Sequence, residues 1–234
     1  QIGSVQPRAA SQINGSNWSI GAETLDRDFA NYNAYKSYLG PLGAKQVRLQ
    51  GGWAKTEQTQ GVYNWAWLDA IVNDAVAQGL QPWIQTSYGN PIYSGGGDSG
   101  LGDGIPTSTT ALAAWDAWVG AMVDRYKDRV STWEVWNEPN INSNVSATAY
   151  ANFYIRTAEV IRARQPNAQI YALALAGIST GYTNEFLNRL QTQGNLHPVN
   201  EITSHGYVLV PEGHYNSVQS LRNTIAQYSA TITV

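Results

Sequence analysis

An acid and an amide stand together where an apolar run gives out: residues 133–136 read as the end of a strand, and Asn137, Glu138, Pro139 and Asn140 follow at once. A carboxyl group held there beside Trp136 suits general acid/base work, because partial burial penalises its charged form and helps it keep a proton. Other chemistry-bearing groups stand at similar boundaries: Arg48 near the close of one apolar run, and His205 and Tyr207 just after another. The chain has no cysteine, which excludes thiolate catalysis and cysteine-type zinc sites. It has no Gly-x-Ser-x-Gly elbow, and His197, His205 and His214 lack compact metal-ligand spacing. Gly95, Gly97 and Gly100 match the spacing of a dinucleotide loop, yet further glycines and Pro106 follow in place of a helix start. Carboxylate chemistry is what remains.

The elements that must position these groups alternate between short apolar strands and amphipathic helical stretches, a rhythm that predicts parallel strands joined by helical crossovers. Strands are expected at 18–22, 46–50, 80–86, 132–136, 169–175 and 201–204. The helices between them show three and four spacing, as in Leu68, Ile71, Val72, Ala75 and Val76, closed by Gly79, and again in Trp115, Trp118, Val119, Met122, Val123 and Tyr126. A sixth helix is expected over 215–228, after which Thr231, Ile232, Thr233 and Val234 begin another β-branched strand. The expected fold class is α/β, a (β/α)8 TIM barrel truncated in this chain at the start of its seventh strand, with 1–234 as a single catalytic domain whose C-terminal part is missing. In such barrels chemistry sits at the C-terminal ends of the strands, where Glu138 falls. Strict alternation would send Asn137 and Glu138 to opposite sides, so both can face the mouth only if the strand twists or bulges there.

The run Trp-Glu-Val-Trp-Asn-Glu-Pro-Asn over 133–140 resembles the fourth-strand signature of glycoside hydrolase clan A, and the order of elements agrees over nearly the whole chain. Within the clan it is most similar to family 39, with family 5 as a neighbour. That resemblance implies a retaining O-glycosyl hydrolase acting on a β-linked oligo- or polysaccharide, with Glu138 as the general acid/base and no cofactor. It also implies a glutamate nucleophile at the end of strand seven, expected just after Val234 and about 5 to 5.5 Å from Glu138. Arg48 matches the clan's active-site arginine, although it also reads as a structural arginine neutralising Glu134 inside the barrel. Asn137 would bond a sugar hydroxyl, and His205 and Tyr207, two apart, would line the sugar site. Trp53 is either a platform for a sugar ring or a loop anchor packed over the second helix, and Tyr88 and Asn90 are candidate contacts on the rim. Glu57, Glu134 and Glu212 are poorly placed substitutes for the nucleophile.

Composition narrows the partners. A net charge of −3 with only 13% charged residues gives no basic surface for nucleic acid, while 9 Trp and 14 Tyr suit neutral ligands. No apolar run approaches the roughly 18 residues a membrane span needs. The start at Gln1, without initiator Met or signal peptide, fits a processed, secreted protein. The expected partners are a carbohydrate and, if the barrel is cleaved, a second polypeptide fragment completing it. The glycine-rich stretch 95–104 reads as a mobile flap over the cleft. Rival readings are a non-catalytic carbohydrate-binding or scaffold barrel that lacks the nucleophile, and an unrelated barrel enzyme with a phosphate-gripping loop.

Overall fold

The computed structural model describes residues 7–143, 145–196 and 198–234, so His197 lies outside the described residues. Six strands, β1 (Ser19–Ala22), β2 (Gln46–Gln50), β3 (Gln81–Thr86), β4 (Thr132–Val135), β5 (Gln169–Ala176) and β6 (Glu201–His205), pair in parallel in sequence order. Between them run two short turns, α1 (Lys36–Leu39) and α2 (Trp53–Thr56), and the longer helices α3 (Ala66–Ala77), α4 (Thr109–Tyr126), α5 (Ala147–Arg164) and α6 (Thr180–Thr192), with α7 (Tyr215–Ile225) after β6. The result is a curled half-barrel of the (β/α)8 type. A seventh strand begins as expected: Thr233 bridges Glu201 in parallel, and Ile202 N–H donates to the Thr233 carbonyl at 2.9 Å.

The helices start and stop where side chains satisfy their ends. Ser108 caps α4 by accepting from Ala111 N–H, Ser146 caps α5 through Ala149, and Ser179 caps α6 through Tyr182. After α3, Gly79 takes a positive φ of 83° that lets its own N–H and that of Leu80 turn back onto the last carbonyls. The helical stripes face the sheet. Leu68, Ile71, Val72 and Ala75 are buried, whereas Val76, assigned to the same stripe, lies exposed on the outer flank of α3.

Period-two alternation divides the strands into an outer apolar set and an inner polar one. Val47, Leu49, Ile84, Trp133 and Val135 belong to the buried apolar core under the helices, and Trp133 Nε1 reaches Gln165 just past α5. Arg48, Gln50, Gln85 and Glu134 alternate with them and bond one another across β2, β3 and β4. The lumen is therefore hydrogen-bonded rather than oily. On the helix side, Trp53, Trp115, Trp118, Trp136 and Phe153 form a continuous aromatic cluster with ring centres 4.9 to 6.0 Å apart.

Candidate active site

The end of β4 is bent sharply. Trp136 and Glu138 take φ of +65° and +49°, a left-handed backbone that non-glycine residues adopt at a cost of about 1 to 3 kcal/mol each. Neighbouring strands hold the bend: Trp136 N–H donates to the Thr86 carbonyl at 3.0 Å, and Glu138 N–H to the Ala174 carbonyl at 2.9 Å. Ala174 itself belongs to a bulge. Between Ala172 and Leu175, β5 carries one residue more than β6, and both Leu173 and Ala174 have positive φ. Two side-chain hydroxyls take up the bulge's amides. Tyr150 on α5 accepts from Leu173 N–H at 2.8 Å while donating to the Val135 carbonyl at 2.7 Å, and Thr203 on β6 accepts from Ala174 N–H at 3.1 Å. Burial pushes the Tyr150 phenol well above its ordinary pKa, so it stays a neutral donor.

This bend lets consecutive side chains serve one mouth. Asn137 turns into the lumen, where its Oδ1 accepts from Arg48 Nη2 and from Gln85 Nε2, each at 3.0 Å. Glu138, 9% exposed, meets His205 at the end of β6, with Nδ1 and Oε1 separated by 2.6 Å. Beneath them Glu134 is fully enclosed and accepts from Arg48 Nη2 at 2.5 Å, Arg48 Nε at 2.9 Å, Gln85 at 2.7 Å and Thr203 at 2.6 Å. Arg48 also reaches Glu23, just past β1. Burial alone would lower the pKa of Arg48, but the carboxylates of Glu134 and Glu23 outweigh it and raise it. A cavity of about 370 Å³ opens between β1 and β6, lined among others by Glu23, Arg48, Glu134, Thr203 and His205.

Comparison with known proteins fits this arrangement. The model of the glycosyl hydrolases family 39 matches residues 41–233. The chain belongs to that family. A β-xylosidase of Geobacillus stearothermophilus is 27% identical over 157 residues, covering 62% of this chain and 31% of that protein. A family 39 β-xylosidase from Caulobacter crescentus superposes with a TM-score of 0.70 at 24% identity, over 99% of this chain and 54% of that one. The family 39 enzyme from Xanthomonas axonopodis pv. citri gives 0.71 at 19% identity, over 93% and 49%. The chain thus spans about half the length of these structures and under a third of the Geobacillus protein.

Against this family 39 frame, the residues singled out from sequence divide into two groups. Glu138, Asn137, Arg48 and His205 converge on the mouth and its floor, and the structural reading of Arg48 holds as well, since Glu134 is its main partner. Trp53, Tyr88 and Asn90 are closed to solvent. Trp53 is wholly buried in α2, stacked on Tyr93 at 5.5 Å, with Nε1 donating to Glu57 at 2.6 Å, so it is the loop anchor and no sugar platform. Glu57, enclosed, also accepts from Tyr93 at 2.5 Å and from Gly61 N–H at 2.6 Å, which leaves it no catalytic freedom. Asn90 is spent on the Glu57 carbonyl at 2.8 Å. Tyr88 lies under Arg27, its hydroxyl accepting from Gln50 at 3.0 Å. The loops after β2 and β3 pack on each other around Trp53 and Asn90, and Arg27 from the loop after β1 covers Tyr88.

Tyr207 also departs from expectation. Two residues share a face only while the strand continues, and β6 stops at His205; Tyr207 stands 92% exposed. The glycine stretch is no free flap in its first half, since Gly89 and Gly96 press on facing backbone, and Asn90 N–H and Thr107 N–H bond the carbonyls of Gly96 and Gly95. Among the described residues no cluster of His, Asp and Glu could hold a metal ion, and no helix is long and apolar enough to cross a membrane. Sequence reading passed over Glu23, Gln85, Tyr150 and Thr203. Glu23 alone carried a signal, being an acid directly after a strand.

Proposed function

We propose that the chain forms the acid/base side of a secreted retaining glycoside hydrolase acting on β-linked oligo- or polysaccharides, in one catalytic domain. The observation that carries this is Glu138: a carboxyl group at a barrel mouth, largely withdrawn from water and aligned on His205 at 2.6 Å. In the first step its proton passes to the departing glycosidic oxygen as a second carboxylate attacks the anomeric carbon and the old C–O bond breaks. In the second step Glu138 takes a proton from water, whose oxygen displaces that carboxylate. The second carboxylate is expected at the end of strand seven, whose Thr233 already bridges Glu201 of β6, and a retaining mechanism needs it about 5 to 5.5 Å from Glu138. With its oxygen engaged by Arg48 and Gln85, Asn137 offers its amide nitrogen to a sugar hydroxyl beside the reacting carbon. Relatives named as β-xylosidases support a neutral xyloside-like substrate.

Glu138→Gln removes only the transferable proton. In the intact protein it is expected to lower turnover of natural, poor-leaving-group glycosides about 10²- to 10⁴-fold while sparing the first step on activated aryl glycosides. Equal loss on both substrate classes in single-turnover measurements would remove Glu138 from the acid role. Binding of sugars with no turnover of either class by the wild-type protein would favour a non-catalytic barrel.

A further inference from the structure

A second cleft lies on the same end of the barrel. It measures about 570 Å³, within the range of ligand sites, and is bounded by the loop after β1, by α2 and by the outer half of the glycine stretch. The loop after β1 contributes to both cavities: Glu23 lines the first, and Asp26, Arg27, Asp28 and Phe29 line the second. From Arg27 in this cleft a relay of buried side chains leads to the amide beside Glu138, with Arg27 Nη2 to Gln50 at 3.3 Å, Gln50 to Gln85 at 3.2 Å, and Gln85 to Asn137 at 3.0 Å.

The lining has the chemistry of a sugar subsite. The chain has 3 phenylalanines, of which Phe153 and Phe186 are core residues while Phe29 is 78% exposed. Its ring is braced by Arg27, whose guanidinium lies between it at 5.7 Å and Tyr88 at 4.9 Å. Lys55 is fixed by the Leu25 carbonyl and Asp28 Oδ1, each at 2.6 Å. Arg27 and Lys55 are matched by Asp26, Asp28 and Asp98, so the cleft has no cationic excess to draw an anion. An exposed ring beside fixed hydroxyl-bonding groups suits a neutral pyranose, whose flat C–H face stacks while its hydroxyls bond the rim.

We propose that this cleft is a second sugar-binding position, with Phe29 stacked on a pyranose ring and Asp28 and Asp98 bonding its hydroxyls, so that the ligand reaching Glu138 is an oligosaccharide. This rests on the glycoside-hydrolase reading of the Glu138 site. The test is calorimetric titration of the Glu138→Gln protein, in which nothing is turned over, with xylose and glucose oligomers from monosaccharide to hexasaccharide. Affinity is expected to rise roughly tenfold from the disaccharide to the hexasaccharide, and Phe29→Ala to bring that ratio close to one. Asp28→Asn, a milder change, should lower the same ratio, whereas Val76→Ala on the outer flank of α3 should keep it. Affinity independent of length, or a ratio untouched by Phe29→Ala, overturns the second position and leaves the Glu138 reading standing. No binding at any length overturns both.

Discussion

Two arginine–carboxylate pairs in this molecule share their chemistry and differ in their surroundings. Inside the barrel, Arg48 and Glu134 have side chains 6% and 0% exposed. Outside it, Arg125 on α4 grips Asp69 on α3 with a better fork, Nε to Oδ1 at 2.7 Å and Nη2 to Oδ2, with Tyr126 adding a third donor at 2.9 Å, yet these side chains are 41% and 24% exposed. The inner pair has been taken out of water, so every lone pair of Glu134 must be met by protein, and Gln85, Thr203 and Arg48 do so. The outer pair keeps water as an alternative partner. Burial, more than the quality of the fork, therefore decides which pair the fold depends on, and the buried one is also the floor on which Asn137 is held.

The sharpest way to break the comparison is Arg48→Met. It leaves Glu134 charged and enclosed, and deprives Asn137 Oδ1 of a donor. The expected loss is about 3 to 5 kcal/mol of unfolding free energy, read from urea titrations. Adding Glu134→Leu should return most of that loss, because the cost lies in the orphaned charge and not in the missing attraction. A single-variant loss below about 1 kcal/mol would mean that water floods the lumen and that inner and outer pairs are equivalent.

How far all this could be read from sequence follows the same division between local and long-range causes. The strands fell within about a residue of their observed ends, since an apolar pair flanked by turn residues specifies its own limits. Glu138, at a strand end followed by Pro139, was legible for the same reason. The bulge at Leu173 and Ala174 was not: a run of small and apolar residues looks like uninterrupted strand, and what bends it are hydroxyls from Tyr150 and Thr203, one on the preceding helix and one on the next strand. Trp53 was misread as a possible platform because its partner Tyr93 lies 40 positions on in another loop. Tyr207 was misread because spacing of two assumes a strand that had already ended.

His205 tests the comparison at the lip of the site, where a partner is neither sealed nor free. Its side chain is 20% exposed and its 2.6 Å contact is to Glu138. His205→Gln should lower kcat/KM of the intact protein about ten- to a hundredfold, the worth of one charge-assisted hydrogen bond, with little change in the urea midpoint. A large fall in stability with unchanged activity per folded molecule would make His205 a structural residue like Arg48.

The smallest effect belongs to the outer pair. Hydrogen bonds from Arg125 first, then those from Tyr126 and the nearby arginine charges, outweigh burial and hold the Asp69 carboxyl below its ordinary pKa. A group whose folded pKa is depressed adds stability above its unfolded pKa, near 4, and loses that contribution as pH falls through the folded value. Asp69→Asn should therefore cost under about 1 kcal/mol at neutral pH, because the pair is well exposed and screened, and the gap from wild type should close below about pH 4. Salt at about 1 M should narrow it too, while leaving the cost of Arg48→Met almost unchanged, since counterions reach α3 and α4 but not the lumen. If salt weakened both pairs alike, the lumen would be as wet as the surface, and the fixed floor beneath Asn137 would be lost with the distinction.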